Sequence, residues 1–147
     1  MLLLGNFQHT LDDKNRIRLP AKYREKLGSE YILMPGIDGC IFLYPASAED
    51  KFLQAVEEME FDSDKADIIS RIAEISATVE ADTQGRFMLT PDLIKFAKID
   101  KDVRIRGAFK RIEIWSEEIY VERYGKPQSS ESMNEAYMEF HKAVNKK

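Results

Sequence analysis

Two short polar turns of this chain each set an aspartate four residues ahead of an arginine, at Asp12–Arg16 and at Asp82–Arg86. Aspartate at the first position of such a turn accepts backbone N–H bonds and fixes it, and Asn15 and Gly85 at the fourth tolerate a positive φ. The arginine then starts the next strand and projects away from its apolar residues. Lys14, Asn15, Arg16 and Arg18 at one loop tip, and Gln84, Gly85 and Arg86 at the other, offer amides, guanidinium forks and an ammonium. These groups suit phosphate oxygens and the acceptor edge of guanine in the major groove of double-stranded DNA. The bland alternative is that Asp12 and Asp82 only lock hairpins and pair with arginine at the surface, worth at most about 1 kcal/mol.

Other chemistry leaves little trace. His9 and His141 stand far apart and no cysteine cluster accompanies them, so the sequence predicts no metal. There is no Gly-x-Ser-x-Gly elbow, P-loop or dinucleotide fingerprint. Carboxylate pairs such as Asp12/Asp13 and Glu117/Glu118 are expected by chance when 33% of residues are charged. The expectation is a protein that is not an enzyme, with no cofactor and no small-molecule substrate.

The elements that position the two loops are themselves duplicated. Asp12–Pro20 returns as Asp82–Pro91 about 70 positions later, and after a single insertion Gly36 corresponds to Gly107, Ile41 to Ile112, Leu43 to Ile114 and Tyr44 to Trp115. Each copy is too short to bury a core alone, so the halves must complete one another. In the first copy, Phe7–Leu11 predicts a strand, and Arg16–Leu19 alternates with Ile17 and Leu19 on one face. Pro20 opens a short helix that Gly28 closes, and Tyr31–Met34 and Cys40–Tyr44 form a hairpin around Pro35–Gly39. The second copy repeats this: a strand to Ala81, a strand Arg86–Leu89, a helix capped by Thr90, and a hairpin of Val103–Arg106 and Arg111–Trp115.

Ser47-x-x-Asp50 and Ser116 each signal a helix after a hairpin, and Asp64–Ser76 predicts a helix bridging the copies. Beyond the linker 125–130, Ser132-x-x-Glu135 marks a capping box for a tail helix. Its stripe of Met133, Ala136, Tyr137, Phe140 and Val144 is expected on the protein's own body or a sister subunit. The expected division is 5–47 for the first repeat, 48–76 for a helical connector, 77–120 for the second repeat and 121–147 for the linker and tail.

The net charge of −4 over 147 residues hides a segregation. Residues 14–26 carry Lys14, Arg16, Arg18, Lys22, Arg24 and Lys26 against Glu25, and positive charge returns from Arg86 to Arg111. Residues 49–67 carry eight acids against Lys51 and Lys65. Basic copies joined by an acidic segment favour an anionic partner. The start of the chain is not expected to be a signal peptide, no stretch approaches a membrane span, and the single Cys40 fits a reducing cytoplasm.

Taken together, these residues are similar to the MraZ family of tandem SpoVT–AbrB domains, from Met1 to about residue 124. The carriers are His9-Thr10-Leu11-Asp12-x-Lys14-x-Arg16, Leu19-Pro20-Ala21-Lys22, Gly36-x-Asp38-Gly39-Cys40, Asp82-x-x-Gly85-Arg86 and Glu113-x-Trp115-Ser116. The resemblance implies an α+β fold, a swapped-hairpin AbrB-type β-barrel formed by two tandem repeats with peripheral short helices. It implies homo-oligomeric rings of about eight to twelve subunits. It also implies a transcriptional regulator, usually a repressor, that binds short direct repeats upstream of the division and cell-wall gene cluster. Such a protein is cytoplasmic and nucleoid-associated. The family's DNA contacts carry over to Arg16 with Lys14 and Asn15, and to Arg86 with Gly85. Asn15 stands where glycine is usual, and Arg18 where a small polar residue is common. The competing class is a ring-forming assembly protein whose basic loops bind an acidic protein.

Overall fold

The computed structural model describes residues 1–146. The first copy runs β1 (Asn6–Thr10), β2 (Arg16–Arg18), α1 (Ala21–Leu27), β3 (Glu30–Pro35) and β4 (Ile41–Pro45), and α2 (Glu49–Met59) and α3 (Ser63–Ile75) follow. The second copy repeats the order as β5 (Ala77–Glu80), β6 (Arg86–Met88), α4 (Pro91–Ala97), β7 (Asp102–Gly107) and β8 (Ile112–Ser116). Then come α5 (Glu117–Tyr124) and α6 (Ser130–Asn145). The class is α+β, with antiparallel strand pairing throughout.

Neither copy completes its own sheet. β1 pairs with β7 and β5 with β3, so the first strand of each copy extends the hairpin of the other. β4 pairs with β8 at the centre of a six-stranded sheet ordered β1-β7-β8-β4-β3-β5. β2 and β6 pair with each other in a separate two-stranded ribbon. Exchanging the copies maps these pairings onto themselves, as a pseudo-twofold relation requires.

The ladders do not close into the barrel that the resemblance implied. β1 and β5 stay as edges of the large sheet, and the ribbon is separate from it. Each ribbon strand is only three residues long. On one side it meets a tight turn, and on the other it runs toward Pro20 or Pro91, which lack the N–H that would extend a ladder. Packing joins the two layers instead. Ile17, Leu19, Phe87 and Leu89 of the ribbon region share one core with Leu33, Leu43, Ile105 and Ile114 of the sheet. Both copies therefore contribute to a single apolar interior, the complementation their length demanded.

Several local expectations hold. Gly28 closes α1 at φ 79°, Thr90 Oγ1 accepts the Leu93 N–H to cap α4, and Ser116 Oγ accepts the Ile119 N–H to cap α5. Others shift. The helix signalled at Ser47 starts at Glu49, because Ala46–Ala48 form a 3-10 turn first. The tail helix is capped by Ser129, whose Oγ accepts the Ser132 N–H at 3.1 Å, so Ser132 lies inside its first turn. Gly36 and Gly107 are not equivalents: Pro35 faces Ile41 whereas Gly107 faces Ile112, which puts the length difference inside the hairpin turns.

The basic run of the second copy is also less available than its composition suggested. Glu117 accepts from both Arg104 Nε and Arg104 Nη2, and Glu113 Oε1 accepts from Arg106 Nε and Trp115 Nε1, each at 3.0 Å. The Arg106 guanidinium lies 4.2 Å from the centroid of Tyr124, and that of Arg111 lies 4.0 Å from Phe42. These arginines bind α5 and the buried Cys40, Phe42, Trp115 and Tyr120 into a second cluster. Burial pushes the Cys40 thiol up to about 12, which marks an inert packing residue.

Candidate nucleic-acid interface

The two aspartate–arginine turns have the same construction. Asp12 Oδ1 accepts the N–H groups of Lys14 (2.9 Å) and Arg16 (2.8 Å), while Oδ2 accepts Arg16 Nε at 2.7 Å. Asp82 Oδ1 accepts the N–H groups of Gln84 and Arg86, both at 2.9 Å, and Oδ2 accepts Arg86 Nε at 3.2 Å. The Asn15 N–H donates to Asp12 O and the Gly85 N–H to Asp82 O, closing both turns. Asn15 has φ 57° and Gly85 φ 80°, so the fourth position is left-handed in each. Asparagine tolerates that region through its short polar side chain, which explains how it substitutes for glycine.

These bonds set the electrostatics. Hydrogen bonds from the Arg16 N–H, then from its side chain and the Lys14 N–H, hold the Asp12 carboxyl below the usual carboxylate range, against a smaller opposing push from burial. Asp82 is lowered in the same way, first by the Arg86 N–H. A depressed carboxylate stabilises the folded loop above its unfolded pKa and loses that effect as pH falls through the folded value. Both clamps are therefore intact at neutral pH. Each clamp engages Nε, and among the described residues neither Nη nitrogen of Arg16 or Arg86 has a hydrogen-bond partner. The outer edge of each guanidinium is the fork that matches two acceptors.

The ribbon brings the loops together. Arg16 lies opposite Met88, Ile17 opposite Phe87, and Arg18 opposite Arg86. Ile17 and Phe87 point into the core, so the other face carries Arg16, Arg18, Arg86 and Met88. Arg18 and Arg86 are like charges directly opposed, an arrangement that costs stability unless an anion joins them. Lys14, Asn15 and Gln84 are exposed at the loop tips, whereas Gly85 is buried. All the site residues named from the sequence thus lie on one ribbon and its two turns.

Three neighbours were missed. A Cβ built on Gly85 would lie 2.8 Å from Arg24 Nη1, so Arg24, on α1 of the first copy, covers the turn of the second. Its Nε is tied to Leu19 O at 3.1 Å. His9 Nε2 accepts the Arg18 N–H at 3.4 Å, and burial lowers the pKa of the imidazole, favouring the neutral acceptor. Arg18, Arg24 and His9 line one depression of about 360 Å³. Met88 is the third, opposite Arg16. The charge run over residues 14–26 included Arg24, but only the fold could place it over the turn of the other copy.

Gly85→Ala tests this geometry. A φ of 80° strains any L-residue and the new methyl would displace Arg24, so a loss of about 1–2 kcal/mol is expected by thermal melting. Asn15→Gly should leave the melting temperature nearly unchanged.

Comparison with known proteins agrees with the residue pattern. The model of the family described as "MraZ protein, putative antitoxin-like" matches residues 2–72 and 76–140. A protein of Syntrophomonas wolfei named "Transcriptional regulator MraZ" is 38% identical over 132 residues, covering 88% of this chain and 91% of the relative. Proteins of the same name from Moorella thermoacetica and Clostridium acetobutylicum are 36% and 37% identical, covering 78% and 82% of this chain and 81% and 86% of their own. No helix among the described residues is long and apolar enough to cross a membrane.

Proposed function

The chain belongs to the MraZ family, and from that membership we propose that its β2–β6 ribbon binds double-stranded DNA sequence-specifically as a transcriptional regulator. One observation carries the reading: two equivalent arginines are held by aspartate through Nε, on a face where Arg18 lies directly opposite Arg86. In this reading Arg16 and Arg86 present their free edges to guanine. Lys14 and Arg18 contact phosphates, Gln84 offers its amide to a base or phosphate, Asn15 and Gly85 let the turns approach closely, and Asp12 and Asp82 set the arginine orientation.

The finer reading follows the family. The exchanged strands support a swapped-hairpin AbrB-type unit, with repeats at 5–47 and 77–120, a connector at 48–76 and a tail at 121–147. The targets are short direct repeats upstream of the division and cell-wall gene cluster, where the protein acts as a repressor in the cytoplasm, associated with the nucleoid. Homo-oligomeric rings of about eight to twelve chains cover the apolar residues one chain leaves open. Leu2, Leu4, Leu53, Phe61, Ile68 and Ile72 are exposed, and α6 touches the body through Phe140 stacked on Phe109 while Met133, Tyr137 and Val144 face outward.

A mobility-shift titration against the DNA upstream of the chain's own gene tests the reading. Retarded complexes at nanomolar protein, surviving excess unrelated duplex, are the expected result. Binding no tighter than to unrelated duplex would reject it.

A further inference from the structure

We propose that Met88 is a specificity-determining residue that recognises the C5-methyl group of a thymine beside the guanine engaged by Arg16. The inference rests on the DNA reading of the ribbon and adds a chemistry that reading does not contain. Met88 lies directly opposite Arg16, with its side chain on the same face, and is 54% exposed. Its neighbour Phe87 is buried, so Met88 is the apolar exception on a face otherwise formed by Arg16, Arg18 and Arg86. The pseudo-twofold relation sharpens the contrast. In the equivalent place beside Arg86 stands Arg18, so one end of the ribbon is arginine against arginine and the other is arginine against methionine.

Geometry and chemistry select the ligand. Directly opposed residues have Cβ atoms about 5 Å apart. Successive bases are stacked about 3.4 Å apart along the duplex. With Arg16 on a guanine, Met88 therefore meets the adjoining base pair. The thymine methyl is the apolar group that base edges offer in the major groove. An unbranched thioether adapts its shape to such a contact and gains nothing from a phosphate or a polar base edge.

The test removes only that methyl. Duplexes enriched by the wild-type protein from a randomised library are resynthesised with deoxyuridine at one thymidine position at a time beside the guanine, leaving every hydrogen-bonding group unchanged. Wild type should bind the thymine duplex about fourfold more tightly per engaged chain, the worth of one methyl-sized apolar group. Met88→Ala should bind both duplexes equally and melt at the wild-type temperature. A wild type indifferent to the methyl, or a Met88→Ala protein that keeps the full thymine preference, overturns the inference while leaving the DNA reading in place. Failure of the wild type to enrich any duplex overturns both.

Discussion

Arg16→Ala is expected to abolish specific DNA binding while leaving the protein folded and its assembly intact. The residue is less free than its place after a turn suggested, because Nε is held 2.7 Å from Asp12 and the side chain is 28% exposed. Removing it still leaves Asp12 bonded to the N–H groups of Lys14 and residue 16, so the turn survives. A partly exposed pair of this kind contributes at most about 1 kcal/mol. A lost arginine-to-guanine fork costs roughly 1–3 kcal/mol in each engaged subunit, and several subunits acting together multiply that loss. Within its own loop Arg86 has fewer cations beside it than Arg16, because Gln84 stands where the first loop has Lys14. The structure changes that premise: Arg18 lies opposite Arg86 and Arg24 over Gly85, so cations borrowed from the first copy surround the second loop. A loss of similar size is now expected for Arg86→Ala. Melting temperature, sedimentation and operator affinity, measured together on both variants, separate the effects. An intact operator affinity in a folded Arg16→Ala protein would reduce the arginine to a structural part of its turn.

The legible features were those written in local chemistry. Alternation around Ile17 and Phe87, the aspartate and the left-handed fourth residue of each turn, and the caps at Thr90 and Ser116 all act within a few residues and stand where expected. The helix joining the copies, expected at Asp64–Ser76, stands at Ser63–Ile75, but the contacts made across the copies were not legible in local pattern. That β1 extends the hairpin of β7 depends on pairings nearly a hundred residues apart, which no periodicity encodes. Arg24 and Met88 escaped for the same reason, since each gains its meaning from a residue of the other copy. The charge of the second copy misled for a different reason. Composition counts Arg104, Arg106 and Arg111 alike with Arg86, but Glu117, Glu113 and the ring of Phe42 engage them internally.

Affinity should also rise steeply with the number of operator repeats. One chain presents one short ribbon, and on the proposed reading its two forks and few phosphate contacts would give only modest affinity. In the proposed ring of about eight to twelve chains, neighbouring ribbons would bind adjacent repeats as linked sites, and each later contact would form at a high effective concentration. A duplex with three repeats should therefore bind roughly 10²–10⁴-fold more tightly than one with a single repeat. Salt supplies the second coordinate. Each neutralised phosphate contributes about −0.9 to the slope of log K against log[salt], so the three-repeat slope should be about three times the one-repeat slope. The two readings are independent: linkage raises affinity at any salt, and phosphate contacts set the slope. Filter-binding titrations from about 50 to 200 mM salt measure both, and sedimentation of the same samples counts the chains. A monomer or dimer at micromolar concentration removes the ring. Equal affinity for one and three repeats contradicts linked binding even where the loops contact DNA, because ribbons held in register cannot engage three sites without gaining from it.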